Sequence, residues 1–120
     1  DCQITGMAYP YGTYNDEVVQ ILKKCKIQYA RSVVSSGAFK LQKNLLIFKP
    51  TCHHADENIW ELLEKFLKEK SEEKQLFYIW GHSYEFDVNN NWKRMEEILD
   101  RLIGHNNIFY GTNREVLLPC

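Results

Sequence analysis

Leu76-Phe77-Tyr78-Ile79-Trp80, followed by Gly81-His82, decides the fold. Five consecutive apolar residues bounded by a glycine fit a strand covered on both faces. Just upstream, Ile59, Trp60, Leu63, Phe66 and Leu67 recur at the spacing of one helix face, behind Asp56 as a cap. The charge-rich stretch from Lys68 to Lys74 that joins the two reads as a solvated helix end. A strand that follows a helix in this way is half of a β/α repeat.

The alternation continues outward in both directions. Leu45-Leu46-Ile47-Phe48 is a second continuous apolar run and predicts another doubly covered strand. Ile27 to Val34 predicts a strand closed by Ser35-Ser36-Gly37, and Ile4 to Tyr9 a short one stopped by Pro10 and Gly12. Between these two, Val18, Val19, Leu22 and Cys25 mark a helix capped by Asn15 or Asp16, with Cys25 expected as a buried thiol. Downstream, a polar loop through Asn89-Asn90-Asn91 leads to a helix with Trp92, Met95, Leu99 and Leu102 on its inner face, ended by Gly104. Ile108-Phe109-Tyr110 predicts a last short strand, then Thr112-Asn113 a single helical turn. Alternating strands and helices imply parallel strands and an α/β architecture.

The 120 residues suffice for a single domain, 1–120, with one core. With 44% hydrophobic and 26% charged residues and a formal net charge of -1, the chain suits a globular protein. The even mixture of charges argues against nucleic acid or an anionic membrane as partner. No signal peptide or bilayer-spanning run is visible, which favours a cytoplasmic location; a leader upstream of Asp1 would place the protein at the cell surface. Cysteines 2, 25, 52 and 120 match no metal hook or disulfide framework and are expected to be reduced, although a Cys2 to Cys120 bridge stays open.

In parallel α/β folds, working groups gather where strands end. Those ends carry Tyr9-Pro10-Tyr11-Gly12, Arg31, His53-His54 with Asp56, then His82, Tyr84, Glu85 and Asp87, and finally Thr112 to Arg114. Alone, a Pro-Tyr-Gly turn is only a turn. Adjacent residues of an extended segment point opposite ways, so His53 and His54 are not expected to share an ion, and no metal ligand is assigned. His82, just past a buried strand, is well placed for proton transfer; the plainer reading is a histidine held by Glu85 or Asp87. His105 sits in a surface turn with no expected task. The three tryptophans read as core, while Tyr84 and Phe86 are candidates for stacking on a sugar ring.

Gly6 to Asn15, Thr51 to Asp56 and Trp80 to Asp87, in this order and spacing, resemble the polysaccharide deacetylases of the NodB-homology family, the second block being similar to a bacterial subgroup. The resemblance spans nearly the whole chain. It implies the C-terminal part of a distorted (β/α) barrel and metal-dependent removal of acetyl groups from N- or O-acetylated sugars. The family's Asp-Asp pair and His-x-x-x-His motif are absent from these 120 residues, so a zinc-like metal is expected for the complete family domain and no cofactor for this chain. It implies His82 as the acid that protonates the leaving group and the Tyr11 backbone N–H as an oxyanion donor. Ala8 stands where the family has an arginine, and Arg31 is the candidate replacement. Tyr9, Pro10, Gly12, His53, His54, Asp56 and Tyr84 are the expected substrate contacts. A half barrel, inactive alone, is expected to self-associate or to pair with the missing N-terminal half. A complete carbohydrate-binding α/β domain of the same descent, using Tyr84, Trp80 and the His53-His54 loop, is the alternative, and a self-contained metallohydrolase using His53, His54 and His82 a third.

Overall fold

The computed structural model describes residues 2–118. The pairing of Cys2 with Cys120 therefore lies outside the described residues. The chain divides into two compact units. One runs through Val34, takes in Gln42–Pro50 and resumes at Phe109; the other comprises Ser35–Leu41 and Thr51–Ile108. Both are α/β units with parallel strands, as the alternation predicts. The described strands form two separate parallel pairs, and no barrel is closed among them.

In the first unit, β1 (Gly6–Ala8) pairs in parallel with β2 (Tyr29–Arg31). Helix α1 (Asp16–Lys24) connects them, with the Asn15 side chain accepting the Val18 N–H at 2.9 Å. Val19, Tyr9, Ala30 and Leu46 form the core, with Val18 and Leu22 packed against it. Cys25, expected inside, is exposed, because the helix ends at Lys24 and the backbone turns left-handed at Lys26. The run Leu45–Ile47 is not a strand but a 3-10 turn, capped where the Asn44 side chain accepts the Leu46 N–H. Only Phe48 bridges to Arg31, so that run contributes one rung of a ladder. Ile108 to Tyr110 likewise joins no sheet; the Ile108 N–H closes a turn on the His105 carbonyl, and Phe109 is 70% exposed. The expected last helical turn is α5 (Asn113–Leu117), secured by a capping box between Thr112 and Glu115.

In the second unit, β3 (Cys52–His53) pairs in parallel with β4 (Ile79–Trp80). The strand expected from Leu76 is shorter than its apolar run because the Thr51 hydroxyl takes the Tyr78 N–H, while Leu76 bonds to Phe39. Helix α2 (Ile59–Lys68) buries Ile59 and Leu63 against Cys52 and against Ile98 of α4 (Trp92–Leu102). The Asp56 carboxylate accepts the Asn58 N–H in the turn before α2 and does not cap the helix directly. On α4 the inner residue is Ile98, whereas Trp92 and Leu99 are about half exposed. Trp92 faces outward because its indole N–H donates to Asp87 at 2.6 Å and its ring leans on Phe86. The expected polar loop before it contains a short helix, α3 (Tyr84–Val88). No helix among the described residues is long and apolar enough to cross a membrane.

Candidate functional site

The first unit holds one strained turn. Pro10–Gly12 follow β1 as a 3-10 turn in which Tyr11 (φ 54°) and Gly12 (φ 68°) are both left-handed. For a residue with a side chain this conformation costs roughly 1–2 kcal/mol, and such strain gathers at working sites. Gly12 is required twice over, since a Cβ there would lie 2.4 Å from Val33. Tyr11 is 96% exposed and Pro10 is exposed, so the turn faces solvent. Tyr9 is placed differently: it is buried, and its hydroxyl donates to the Leu46 carbonyl at 2.6 Å. Arg31, the last residue of β2, is half-buried and donates to the Ser32 carbonyl.

The second unit gathers three of the four histidines around one carboxylate. His53 ends β3, His82 lies two residues beyond β4, and Glu85 is in the first turn of α3. Glu85 Oε2 lies 3.1 Å from His53 Nε2, 3.0 Å from His54 Nε2 and 3.4 Å from His82 Nδ1. It also accepts the His82 backbone N–H at 2.6 Å, while the Glu85 N–H donates to the His82 carbonyl at 3.1 Å. His82-Ser83-Tyr84-Glu85 is thus a turn closed in both directions. Its His-x-x-Glu spacing was the sequence signal for this carboxylate. The two adjacent histidines converge, contrary to expectation, because β3 ends at His53 and the chain turns at His54, ending strict alternation.

Two further residues brace the cluster. Arg94, on α4, donates to the His54 carbonyl at 3.0 Å and to the Asp56 carbonyl at 2.9 Å, and it lies over the Trp60 ring. Its distance in sequence hid this role. Gly81 lets the buried His54 ring pass, since a Cβ there would sit 2.0 Å from His54 Cδ2. His82 is about half exposed, stacked on the exposed Tyr84 ring and edge-on to Trp80. His105 bonds through Nε2 to the Arg101 carbonyl.

Proton equilibria follow from this packing. Partial burial resists ionisation of Glu85, yet the His82 N–H and the two imidazoles hold its carboxyl down to about 2. Burial, helped by the neighbouring His54, lowers the affinity of His53 for a second proton despite Glu85. Burial, with Asp56 adding, pushes the Cys52 thiol up to about 11, too high for a nucleophile at neutral pH.

No family model, curated protein or solved structure matches this chain. His53, His54 and Glu85 present one ligand atom each, all within 4.8 Å of one another, a spacing that a zinc ion accepts. The hydrogen bonds oppose such use. The His53 Nδ1 accepts the Ala55 N–H at 3.0 Å, so the neutral ring carries its hydrogen on Nε2, facing Glu85. A metal at Nε2 would move that hydrogen to Nδ1, head-on against the Ala55 N–H, whereas metal-bound histidines set their second nitrogen against an acceptor. As arranged, the His53 ring favours its hydrogen bond to Glu85 over a metal at Nε2, while the buried His54 Nδ1 has no hydrogen-bond partner among the described residues.

Proposed function

We propose that this chain is the C-terminal part of a polysaccharide-deacetylase-type barrel, supplying the proton-donating side of a site for N- or O-acetylated sugars. The observation that carries the reading is His82, half exposed beyond β4, with its backbone N–H held by Glu85 Oε2 at 2.6 Å and its Nδ1 3.4 Å from the same oxygen. That is the arrangement an acid–base histidine needs: one side fixed by an orienting group and the ring open to substrate.

Under this reading His82, as imidazolium, gives a proton to the departing amine or alkoxide of the sugar. The exposed ring of Tyr84 offers a flat apolar face for the pyranose beside it. Within the first unit by itself, the left-handed Tyr11–Gly12 turn can present a backbone N–H to an anion, and Arg31 carries a positive charge at the end of β2. In the resembled family a divalent metal polarises the acetyl carbonyl and water. This sequence carries neither the Asp-Asp pair nor the His-x-x-x-His motif, and the proposal assigns no metal to the His53–His54–Glu85 group. The proposal therefore expects no activity from the chain alone. Each two-stranded sheet leaves strand edges for self-association or for the barrel's N-terminal half to complete.

Titration of the chain with an oligomer of N-acetylglucosamine, followed by NMR, tests this. The expected result is weak binding that moves the Tyr84 and His82 ring signals together, with no acetate released. Movement of Tyr84 with His82 unmoved would favour a binding module without proton chemistry. An unmoved spectrum, or acetate release by the chain alone, would overturn the reading.

A further inference from the structure

We infer that the outer face of α4 pairs with the same face of a second copy of this chain, the two helices running antiparallel about a two-fold axis. The inference does not rest on the proposed function and uses a helix face, not the strand edges.

Helix α4 carries apolar side chains on two faces. Ile98 is fully buried against α2, and Leu102 packs beside it. A second stripe meets solvent: Trp92 is 48% exposed, Leu99 two turns on is 47%, and Ile103 one turn further is 60%. At about 3.6 residues per turn these three fall within roughly 40° of one line. Large apolar groups aligned in this way mark a contact surface, whereas the same groups scattered singly would not. The stripe is already ordered at one end, where Trp92 bonds to Asp87 and leans on Phe86.

The charges beside the stripe name its occupant. On α2 the lysines pair within the helix, Lys65 with Glu61 and Lys68 with Glu64, each glutamate standing first. Helix α4 reverses that order. Lys93 and Arg94 stand in its first turn, where no acidic residue does, and Glu96, Glu97 and Asp100 follow. That order opposes the helix dipole, which favours anions at the N-terminus and cations at the C-terminus. Arg94 is accounted for by the His54 and Asp56 carbonyls, and Arg101 by its pair with Glu64. Lys93 and Asp100 are exposed and form no ion pair among the described residues.

Lys93 and Asp100 lie seven residues apart on the same flank of the stripe. An antiparallel two-fold contact sets each flank against the same flank of the other helix. Lys93 of each copy then meets Asp100 of the other, giving two ion pairs by symmetry. Nearly the same register places Trp92 by the second copy's Ile103 and lays Leu99 across its Glu96 stem. Parallel pairing would instead bring Lys93 to the flank of Met95 and Leu102, where it gains nothing. Self-complementarity of this kind is what a two-fold contact requires, and an unrelated partner would place no such demand on the charge order of α4.

Sedimentation equilibrium of the full chain, from micromolar to millimolar concentration, tests this. The expected result is a monomer–dimer equilibrium that weakens several-fold as salt rises from about 0.05 to 0.5 M. Leu99→Glu should weaken it at least tenfold, roughly the effect of burying an unpaired charge at a small contact. Lys93→Asp and Asp100→Lys alone each set like charges together twice and should weaken it by roughly tenfold. The double exchange should return to within about twofold of wild type, since both pairs are restored with reversed sign. Far-UV circular dichroism confirms that the variants fold, and the exposed charge pair decides the matter even if Leu99→Glu disturbs α4. A chain that stays monomeric at millimolar concentration would overturn the inference. So would a dimer indifferent to Leu99→Glu, as strand-edge pairing would be, or a double exchange no tighter than either single one.

Discussion

Gly81→Ala is expected to lower the free energy of unfolding by about 2–3 kcal/mol, near the upper range for forcing extra volume into a packed site. The Cβ would lie 2.0 Å from His54 Cδ2 and 2.7 Å from Nε2, distances that require movement. The imidazole has nowhere to go. The His54 backbone N–H bonds to the Trp80 carbonyl and the His54 carbonyl is held by Arg94, while the ring Nε2 meets Glu85 and Phe86 covers the ring face. Relief must come from the backbone at Gly81, which separates β4 from the His82 turn. Urea denaturation checks the size of the loss. Gly37→Asn is the comparison: that glycine is also left-handed, nothing lies within 4 Å of a Cβ there, and asparagine tolerates the conformation. It should cost only a few tenths of a kcal/mol. Equal stability of Gly81→Ala and wild type would mean that His54 is not held as described.

The second large effect concerns Glu85. Its replacement by alanine removes a charged acceptor of three hydrogen bonds and is expected to cost about 2–3 kcal/mol at neutral pH. It should also change the acid limb of the stability profile. The folded-state value of Glu85 is depressed to about 2 from an ordinary 4.5, so its contribution is fully present above pH 4.5. That contribution is lost as pH falls from 4.5 toward 2. His53 acts earlier and in the same direction. With its folded value below 6.5, the unfolded chain takes up a proton that the folded state resists, and stability declines as pH drops below 6.5. Wild type should therefore weaken on acidification in two stages, and Glu85→Ala should lack the lower one. A series of denaturant midpoints from neutral pH to pH 2 measures both. An unchanged lower stage in the variant would place the acid sensitivity elsewhere.

Much of the scaffold was legible because it rests on local rules. The α1 cap, the α2 stripe, the capping box at Thr112 and the alternation of strands and helices need only side-chain spacing and end chemistry. Apolar runs misled where a side chain competed with the ladder, as Asn44 does before Leu45 and Thr51 does at Tyr78. On α4 the expected face held only in part: Leu102 packs against the core, but Ile98 is the buried residue, and Trp92 is drawn outward by its bond to Asp87. His82 was identifiable as the residue past the Leu76–Trp80 run, although β4 is half-buried and not the strand covered on both faces that the run predicts. The convergence on Glu85 was not, because it depends on a strand ending between two adjacent histidines and on a helix only five residues long. Arg94 was hidden for a plainer reason, standing forty residues from the carbonyl it holds.

Glu85 gathers three imidazoles around one carboxylate, and the proposed function gives that cluster proton handling in place of metal binding. Calorimetric titration of the chain with zinc at neutral pH tests that most directly. The prediction is no saturable tight binding, with His53→Ala indistinguishable from wild type. One-to-one binding at micromolar affinity or tighter, lost in His53→Ala and His54→Ala, would show that the cluster reorganises into a metal centre and would contradict the account.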